Sequence, residues 1–377
     1  MAVERRHKKI VFVVGAGASK EFGLPTGKEL LNSISNLAKK ATPLRRDGDP
    51  FQLDQSFHDA VIELARRGPE QHLDLGSRIF NLKEKAVWLS RIALLAPSID
   101  NVLHTHKNNQ DIVDLGKIMI MKCLLDAEKS SLISNRIDRG RPSGMFEFSS
   151  FRNGESTYVA DSWLGELFAL LVELRNFDQF LEALSFITFI SFNYDRCIEQ
   201  YLTSCAMVYF RLDETQARLV LENIKIIHPY GTLGKLSVFS DFVLGFGETS
   251  QDLINESKKI RTFTEQVDNI EFNEDIKDAF DSPEIVFFLG FGFLDLNLEL
   301  LFRDSPFDAK RVLGTHLGMS GDSAAIIETR LIDSLMFGKD EYELRRAKLF
   351  RPMPDRVKLE DLTCMSLLRK HQMFLRA

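Results

Sequence analysis

Three apolar segments of the chain each stop abruptly at residue types that can bind a nucleotide or act on one. They are IVFVVGAGASKEFGLPTG, ITFISFNYDR and IKIIHPYGTLG, which span Ile10–Gly27, Ile187–Arg196 and Ile224–Gly234. In a parallel α/β sheet the carboxyl ends of the strands converge on one crevice, where ligands bind. The pattern therefore predicts a single pocket that combines glycines, an Asn/Asp pair and a histidine, as in an enzyme that uses a nucleotide.

The first segment ends its apolar run in a glycine turn, GAGAS. Gly15 and Gly17 let backbone N–H groups approach a pyrophosphate without a Cβ in the way, and the start of the next helix adds partial positive charge. Lys20 stands where the dinucleotide fingerprint G-x-G-x-x-G has its third glycine, so a purely structural turn is the alternative. Thr26 and Glu29 form a T-x-x-E capping box for the following helix.

The second segment places Asn193 and Asp195 directly after its apolar run. An asparagine can orient a water molecule or a ribose hydroxyl, and an aspartate can accept a hydrogen bond from a carboxamide or a ribose. The alternative for Asp195 is a cap for the helix that follows.

The third segment ends at His228, and Pro229 after it cannot continue a central strand. The histidine is thereby offered to the crevice, where its titration near neutral pH suits a general base. The alternative is a strand-end histidine that is hydrogen-bonded to a carbonyl group.

A fourth segment, VFFLGFGFLDLNLELL, ends a strand-like run at Gly290 and Gly292. This second glycine turn, beside the first, can close over the far half of a dinucleotide. Asp295 and Asn297 then open an amphipathic helix. The alternative is that the segment serves the core through its aromatic residues, Phe287, Phe288, Phe291 and Phe293.

Alternating strand and helix patterns predict an α/β fold with a Rossmann-like parallel sheet. We assign residues 1–50 and 181–320 to this domain, 51–180 to a large helical insertion, and 321–377 to a helical C-terminal segment. The strands predicted after the insertion are Phe186–Phe192, Val208–Arg211, Ile224–Ile227, Phe242–Leu244, Ile285–Leu289 and Val312–Gly314.

The composition restricts the class of protein. The chain has 377 residues and a net charge of -6, which argues against a general nucleic-acid binder. The sequence contains no apolar run of about 20 residues, so we predict no membrane span. The cysteines form no Cys-x-x-Cys pair, which predicts free thiols in a cytoplasmic protein and no metal site. They are Cys123, Cys197, Cys205 and Cys364.

Taken in order, GAGASKEFGLPTG, SFNYD, HPYGTLG and FLGFGFLDLN resemble the Sir2-like, sirtuin-related family. The GTHLG segment at Gly314–Gly318 fits the last element of its sheet. The SIDNVL segment, Ser98–Leu103, is similar to one found in bacterial defence members of the group.

The resemblance implies NAD+ as a substrate bound by the Rossmann-like domain. The residues it implies for NAD+ binding are Gly15, Ala16, Gly17, Ser19, Asn193, Asp195, Gly290 and Gly292. Those it implies for catalysis are Asn193, Asp195 and His228, with the histidine as proton acceptor.

The chain departs from the protein deacylases of that family, which carry two cysteine pairs that bind structural zinc. It resembles the zinc-free NAD+ hydrolases of bacterial antiphage systems, some of which are separate subunits that work with a HerA-type hexameric ATPase. The resemblance therefore implies an NAD+ glycohydrolase, a homo-oligomer and an effector role in antiphage defence. An NAD+-dependent protein deacylase and a non-catalytic sensor of NAD+ or ADP-ribose are the alternatives.

Overall fold

A parallel β-sheet forms the centre of the protein. The computed structural model describes residues 8–40, 54–68, 73–134, 148–152, 155–236, 245–250, 252–267, 269–303, 309–335 and 356–376. In this part of the chain the strands are β1 (Ile10–Val14), β2 (Ser149–Arg152), β3 (Glu155–Tyr158), β4 (Ile187–Ser191), β5 (Lys225–Ile227), β6 (Ile285–Leu289), β7 (Arg311–Thr315) and β8 (Val357–Glu360). Strands β2 and β3 form a separate antiparallel hairpin.

Helices fill the connections between the strands. They are α1 (Ala16–Ser19), α2 (Gly27–Lys40), α3 (Gln55–Arg67), α4 (Leu75–Ala93), α5 (Ile99–Thr105), α6 (Gln110–Ser130), α7 (Trp163–Val172), α8 (Phe177–Ser185), α9 (Cys197–Phe210), α10 (Glu214–Asn223), α11 (Leu253–Ser257), α12 (Phe263–Gln266), α13 (Ile270–Phe280), α14 (Asp295–Phe302), α15 (Gly321–Leu335) and α16 (Cys364–Leu375). A turn of 3₁₀ helix, Lys20–Phe22, continues α1.

The described strands of the main sheet lie in the order β5-β4-β1-β6-β7-β8, and every neighbouring pair is parallel. Numbered by their appearance along the chain, these strands read 3-2-1-4-5-6, which is the Rossmann order. The predicted α/β fold with a Rossmann-like parallel sheet is confirmed. The strand order reverses between β1 and β6, so the ligand crevice of such a sheet falls there.

Both faces of the central strands β1, β4 and β6 are buried, which explains why these strands are largely apolar without alternation. In β1, Val11 and Val13 face one apolar cluster, and Phe12 and Val14 face the other. Helices α2 to α6 belong to the first cluster, whereas α7 to α10 and α16 belong to the second. The described helices of 51–180 therefore divide between the two faces, and the boundaries of the insertion stay a prediction.

The capping box at the start of α2 is confirmed. The Thr26 N–H donates to Glu29 Oε2 at 2.8 Å, and the Glu29 N–H donates to Thr26 Oγ1 at 3.4 Å. Each side chain thereby satisfies a backbone donor that the helix leaves without a partner.

Two of the strands predicted from the sequence are not confirmed. The predicted strand Val208–Arg211 is wrong, because Val208 to Phe210 are the last residues of α9 and Arg211 ends that helix in the left-handed conformation, at a φ of 55°. A short apolar run does not distinguish a strand from a helix end. Phe242–Leu244 lies outside the described residues. The C-terminal segment 321–377 carries its helices and also supplies the edge strand β8, whose pattern is too short to predict. The GTHLG segment begins at the end of β7, so the prediction that it is the last element of the sheet is wrong.

A buried ion pair attaches α6 to the loop after β4. The side chains of Arg196 and Glu128 are both fully buried, with Arg196 Nη2 at 2.5 Å from Glu128 Oε2 and Arg196 Nε at 3.1 Å from Oε1. Glu128 Oε2 also accepts the Gly247 N–H at 3.1 Å, and Arg196 Nη2 donates to the Gly245 carbonyl at 3.0 Å. Since the pair is surrounded by hydrogen bonds, its burial is tolerated.

We expect Glu128→Gln to lower the free energy of unfolding by about 3–5 kcal/mol, because it leaves the Arg196 charge buried without a counter-ion. Chemical denaturation measures the loss. The matched control is Glu214→Gln, which breaks an exposed pair with Arg218 and should cost less than about 1 kcal/mol. Equal stability of the two variants would contradict the prediction.

Candidate functional site

A cavity of about 590 Å³ opens at the carboxyl ends of β1, β4 and β6. Val14 pairs in register with both Ser191 and Leu289, so the three strands end at the same level. The predicted site residues that line the cavity are Gly15, Ala16, Gly17, Asn193, Asp195, Gly290 and Gly292. The structure therefore brings together predicted residues from the first, second and fourth segments, whereas His228 of the third segment is not among the lining residues.

The two glycine turns touch each other through their backbones. The Gly15 N–H donates to the Leu289 carbonyl at 2.9 Å, and the Gly17 N–H donates to the Gly290 carbonyl at 3.0 Å. A Cβ on Gly15 would lie 2.5 Å from the Gly290 oxygen, and one on Gly17 would lie 2.8 Å from Gly290 Cα. The glycines are thus required for this packing, in addition to the predicted contact with a ligand.

Asn193 is held by the first turn. It is buried, with 6% of its surface exposed, and its Nδ2 donates to the Gly15 carbonyl at 3.0 Å and to Ser19 Oγ at 2.9 Å. Because a carbonyl oxygen can only accept, these bonds fix which side of the amide is the nitrogen. Asn193 Oδ1 accepts no hydrogen bond from the described residues, and the residue lines the cavity.

Ser19 bonds Asn193 and lies near Asp195. Its hydroxyl accepts from Asn193 Nδ2 at 2.9 Å. Asp195 Oδ1 accepts the Cys197 N–H at 3.1 Å at the start of α9, but the N-cap residue of that helix is Arg196, which makes no side-chain cap bond. Burial raises the pKa of Asp195 above its ordinary value, although the neighbouring Cys197 and Ser19 oppose the rise.

His228 lies next to Asn193 but does not line the cavity in the described part of the chain. Its Nδ1 is 3.1 Å from the Asn193 carbonyl oxygen, and since that oxygen is an acceptor, Nδ1 carries the proton. Nε2 is buried without a hydrogen bond and lies 3.7 Å from Glu199 Oε1. Burial alone lowers the pKa of His228, but Glu199 and the Asn193 carbonyl outweigh it and raise the pKa.

Two hydrogen-bonded pairs of polar residues line the cavity and were not assigned to it from the sequence. The Tyr194 hydroxyl donates to Asp100 Oδ1, and the Tyr230 hydroxyl donates to Asn297 Oδ1 at 2.9 Å. Tyr194 and Tyr230 belong to the SFNYD and HPYGTLG segments, whose other residues had already been assigned to the predicted site. Asp100 comes from α5, and no spacing in the sequence connects it with the strand ends.

The C-terminal segment closes the far side of the cavity. Leu362, Thr363 and Cys364 line it, together with His316. Glu21 attaches this wall, because its carboxylate accepts the Trp163 N–H at 2.7 Å and the Met365 N–H at 3.0 Å, at the starts of α7 and α16. Burial raises the pKa of Glu21, and these backbone donors partly offset the rise.

Comparison with known proteins does not identify the site. No protein-family model and no curated protein matches the chain. Among the described residues, no group of three or more His, Cys, Asp or Glu is placed to hold a metal ion. None of the helices in the described ranges has the length and apolar character needed to cross a bilayer.

We expect Gly290→Ala to destabilise the protein by at least about 1–2 kcal/mol, the cost of a left-handed conformation for a residue with a Cβ. Gly290 has a φ of +56°, and an added Cβ would lie 2.1 Å from the Ala18 nitrogen. Thermal and chemical denaturation measure the effect. Gly321→Ala is the control, since nothing lies within 4 Å of its added Cβ; the prediction fails if both variants retain wild-type stability.

We expect Glu199→Gln to lower the pKa of His228, because it removes a carboxylate that raises this pKa. In the wild-type protein the raised pKa contributes stability below the ordinary histidine value of about 6.5, and this contribution is lost as the pH rises through the folded-state pKa. Histidine NMR titration measures the pKa directly. Glu222→Gln, an exposed change on α10, is the control, and an unchanged titration in Glu199→Gln would refute the assignment.

Proposed function

We propose that the protein is an NAD+ glycohydrolase, which cleaves NAD+ to nicotinamide and ADP-ribose. The observation that carries the proposal is the convergence of the glycine turns and the Asn193–Tyr194–Asp195 segment on one cavity at the switch point of a Rossmann-ordered sheet. The volume of about 590 Å³ is in the range of small-molecule sites. The resemblance of the same segments to the Sir2-like family supports NAD+ as the ligand.

The chemistry of this reaction suits the residues of the cavity. The bond between C1′ of the ribose and the nicotinamide nitrogen breaks, nicotinamide leaves as a neutral molecule, and the ribose carries positive charge in the transition state. A water oxygen then bonds to C1′ and its proton passes to a base. Such a reaction needs positioning of the reactants and carboxylates that face the developing cation.

In this proposal Asn193 orients the water or a ribose hydroxyl through its Oδ1, and Asp195 holds the nicotinamide or its ribose. His228, predicted as the proton acceptor, lies behind Asn193 and bonds its carbonyl. That position supports a role for His228 in positioning Asn193. Its part in proton transfer stays a prediction.

We expect Asn193→Ala and His228→Ala each to lower the kcat/KM for NAD+ by about 10²–10⁴, the usual loss when a positioned proton-transfer group or its support is removed. Chromatography of nicotinamide and ADP-ribose measures the activity, and circular dichroism shows that the variants are folded. Asn223→Ala, at the end of α10, is the control and should keep wild-type activity. Full turnover by both site variants would refute the assignment.

The products identify the reaction class. Incubation with NAD+ and an acetylated peptide should give free ADP-ribose, whereas O-acetyl-ADP-ribose would indicate a deacylase. Tight binding of NAD+ without release of nicotinamide would indicate a sensor. An effector role in cytoplasmic antiphage defence, a homo-oligomeric state and activation by a HerA-type ATPase are part of the proposal through the resemblance. Light scattering and turnover with and without such an ATPase test these points.

A further inference from the structure

The described residues that line the cavity include three carboxylates, those of Glu21, Asp100 and Asp195. Glu21 spends one oxygen on the Trp163 N–H and the other on the Met365 N–H. Asp195 Oδ1 accepts the Cys197 N–H at 3.1 Å, and Asp195 already has a ligand-binding role in the proposed function. Glu21 therefore serves the framework of the site, and Asp100 is the carboxylate without an assigned role.

Asp100 has a different setting. Its Oδ1 accepts the Tyr194 hydroxyl, and the structure records no side-chain donor for Oδ2 among the described residues. Burial raises the pKa of Asp100 to about 6 and keeps the pKa of Tyr194 well above its ordinary value. Near neutral pH the site thus contains a carboxylate whose tyrosine donor stays protonated.

The framework fixes both partners of this hydrogen bond. The Ser98 side chain caps α5 by accepting the Asn101 N–H at 3.1 Å, which places Asp100 in the first turn of the helix. Tyr194, next to Asn193 in the chain, is held by its carbonyl, which accepts the Leu233 N–H at 3.0 Å and the Thr232 hydroxyl at 3.1 Å. Both partners line the cavity from these positions.

The described lining of the cavity carries more acidic than basic side chains. Lys20 is the one lysine or arginine among its described lining residues, and its Nζ is 2.5 Å from Glu29 Oε1. Unbalanced carboxylates repel the diphosphate of a dinucleotide and attract its pyridinium ring. Asp100 is therefore suited to contact the cationic part of the ligand.

We propose that Asp100 is a further catalytic residue, which contacts the nicotinamide riboside end of NAD+ and stabilises its positive charge. This inference rests on the proposed function. It assigns a role in the reaction to the helical segment between β1 and β4, because Asp100 belongs to α5.

The test compares Asp100→Asn with the wild-type protein in turnover and in binding. Since the substitution keeps the shape and removes the charge, we expect kcat/KM for NAD+ to fall about 10²-fold. Calorimetry should show weaker binding of NAD+ and unchanged binding of ADP-ribose, which lacks the cationic ring. The control is Asp114→Asn, a carboxylate on α6 whose pKa burial also raises and which does not line the cavity.

The outcomes separate this inference from the proposed function. Wild-type turnover by Asp100→Asn, or an equal loss of affinity for NAD+ and ADP-ribose, overturns the role of Asp100 and leaves the hydrolase intact. If the wild-type protein binds NAD+ without cleaving it, hydrolysis is refuted, and the ratio of the two affinities still decides whether Asp100 senses the charge. Binding of neither ligand refutes both proposals.

A second variant guards against misfolding of Asp100→Asn. Tyr194→Phe keeps the carboxylate and removes its hydroxyl donor. We expect kcat/KM for NAD+ to fall less than in Asp100→Asn. As in that variant, binding of NAD+ should weaken relative to binding of ADP-ribose. Wild-type kinetics in a folded Tyr194→Phe variant, together with a misfolded Asp100→Asn, would count against the role of Asp100.

Discussion

The site depends on the backbone contact between the turn after β1 and the turn after β6. The Gly17 N–H bonds to the Gly290 carbonyl, and the missing Cβ atoms of Gly15 and Gly17 make room for that residue. Any side chain at these positions would push apart the turns after β1 and β6, where the strand order reverses. Because the crevice lies at this point, its floor is set by main-chain atoms, which hold their places more firmly than side chains do.

Buried polar groups build the next layer, and two of them bond other elements of the fold. Asn193 bonds the first turn and Ser19, and the nearby Arg196 pairs with Glu128 on α6. Leaving a buried polar group without a partner costs more free energy than its hydrogen bond contributes. The network therefore allows one arrangement of the strand end, which is what a site that positions a reactant requires.

The electrostatics of the cavity come from Asp195 at the end of β4 and from other segments of the chain. Asp100 is on α5, and Glu21 fixes the starts of α7 and α16, so the helices on both faces of the sheet meet at the site. Burial raises the pKa of all three cavity carboxylates. A change in how these helices pack would alter the charge of the cavity without touching its glycine floor.

The sequence by itself determined the α/β class, the strand-end motifs and the capping box at Thr26, because these depend on local periodicity and on the chemistry of neighbouring residues. It also named seven of the described residues that line the cavity. Tertiary structure decided the strand order, the edge strand β8 and the helical end of α9, since short apolar runs suit either a strand or a helix until their neighbours are placed. It alone put Asp100 beside Tyr194 and His228 behind Asn193, because contacts between residues far apart in the chain follow from packing and leave no regular spacing in the sequence.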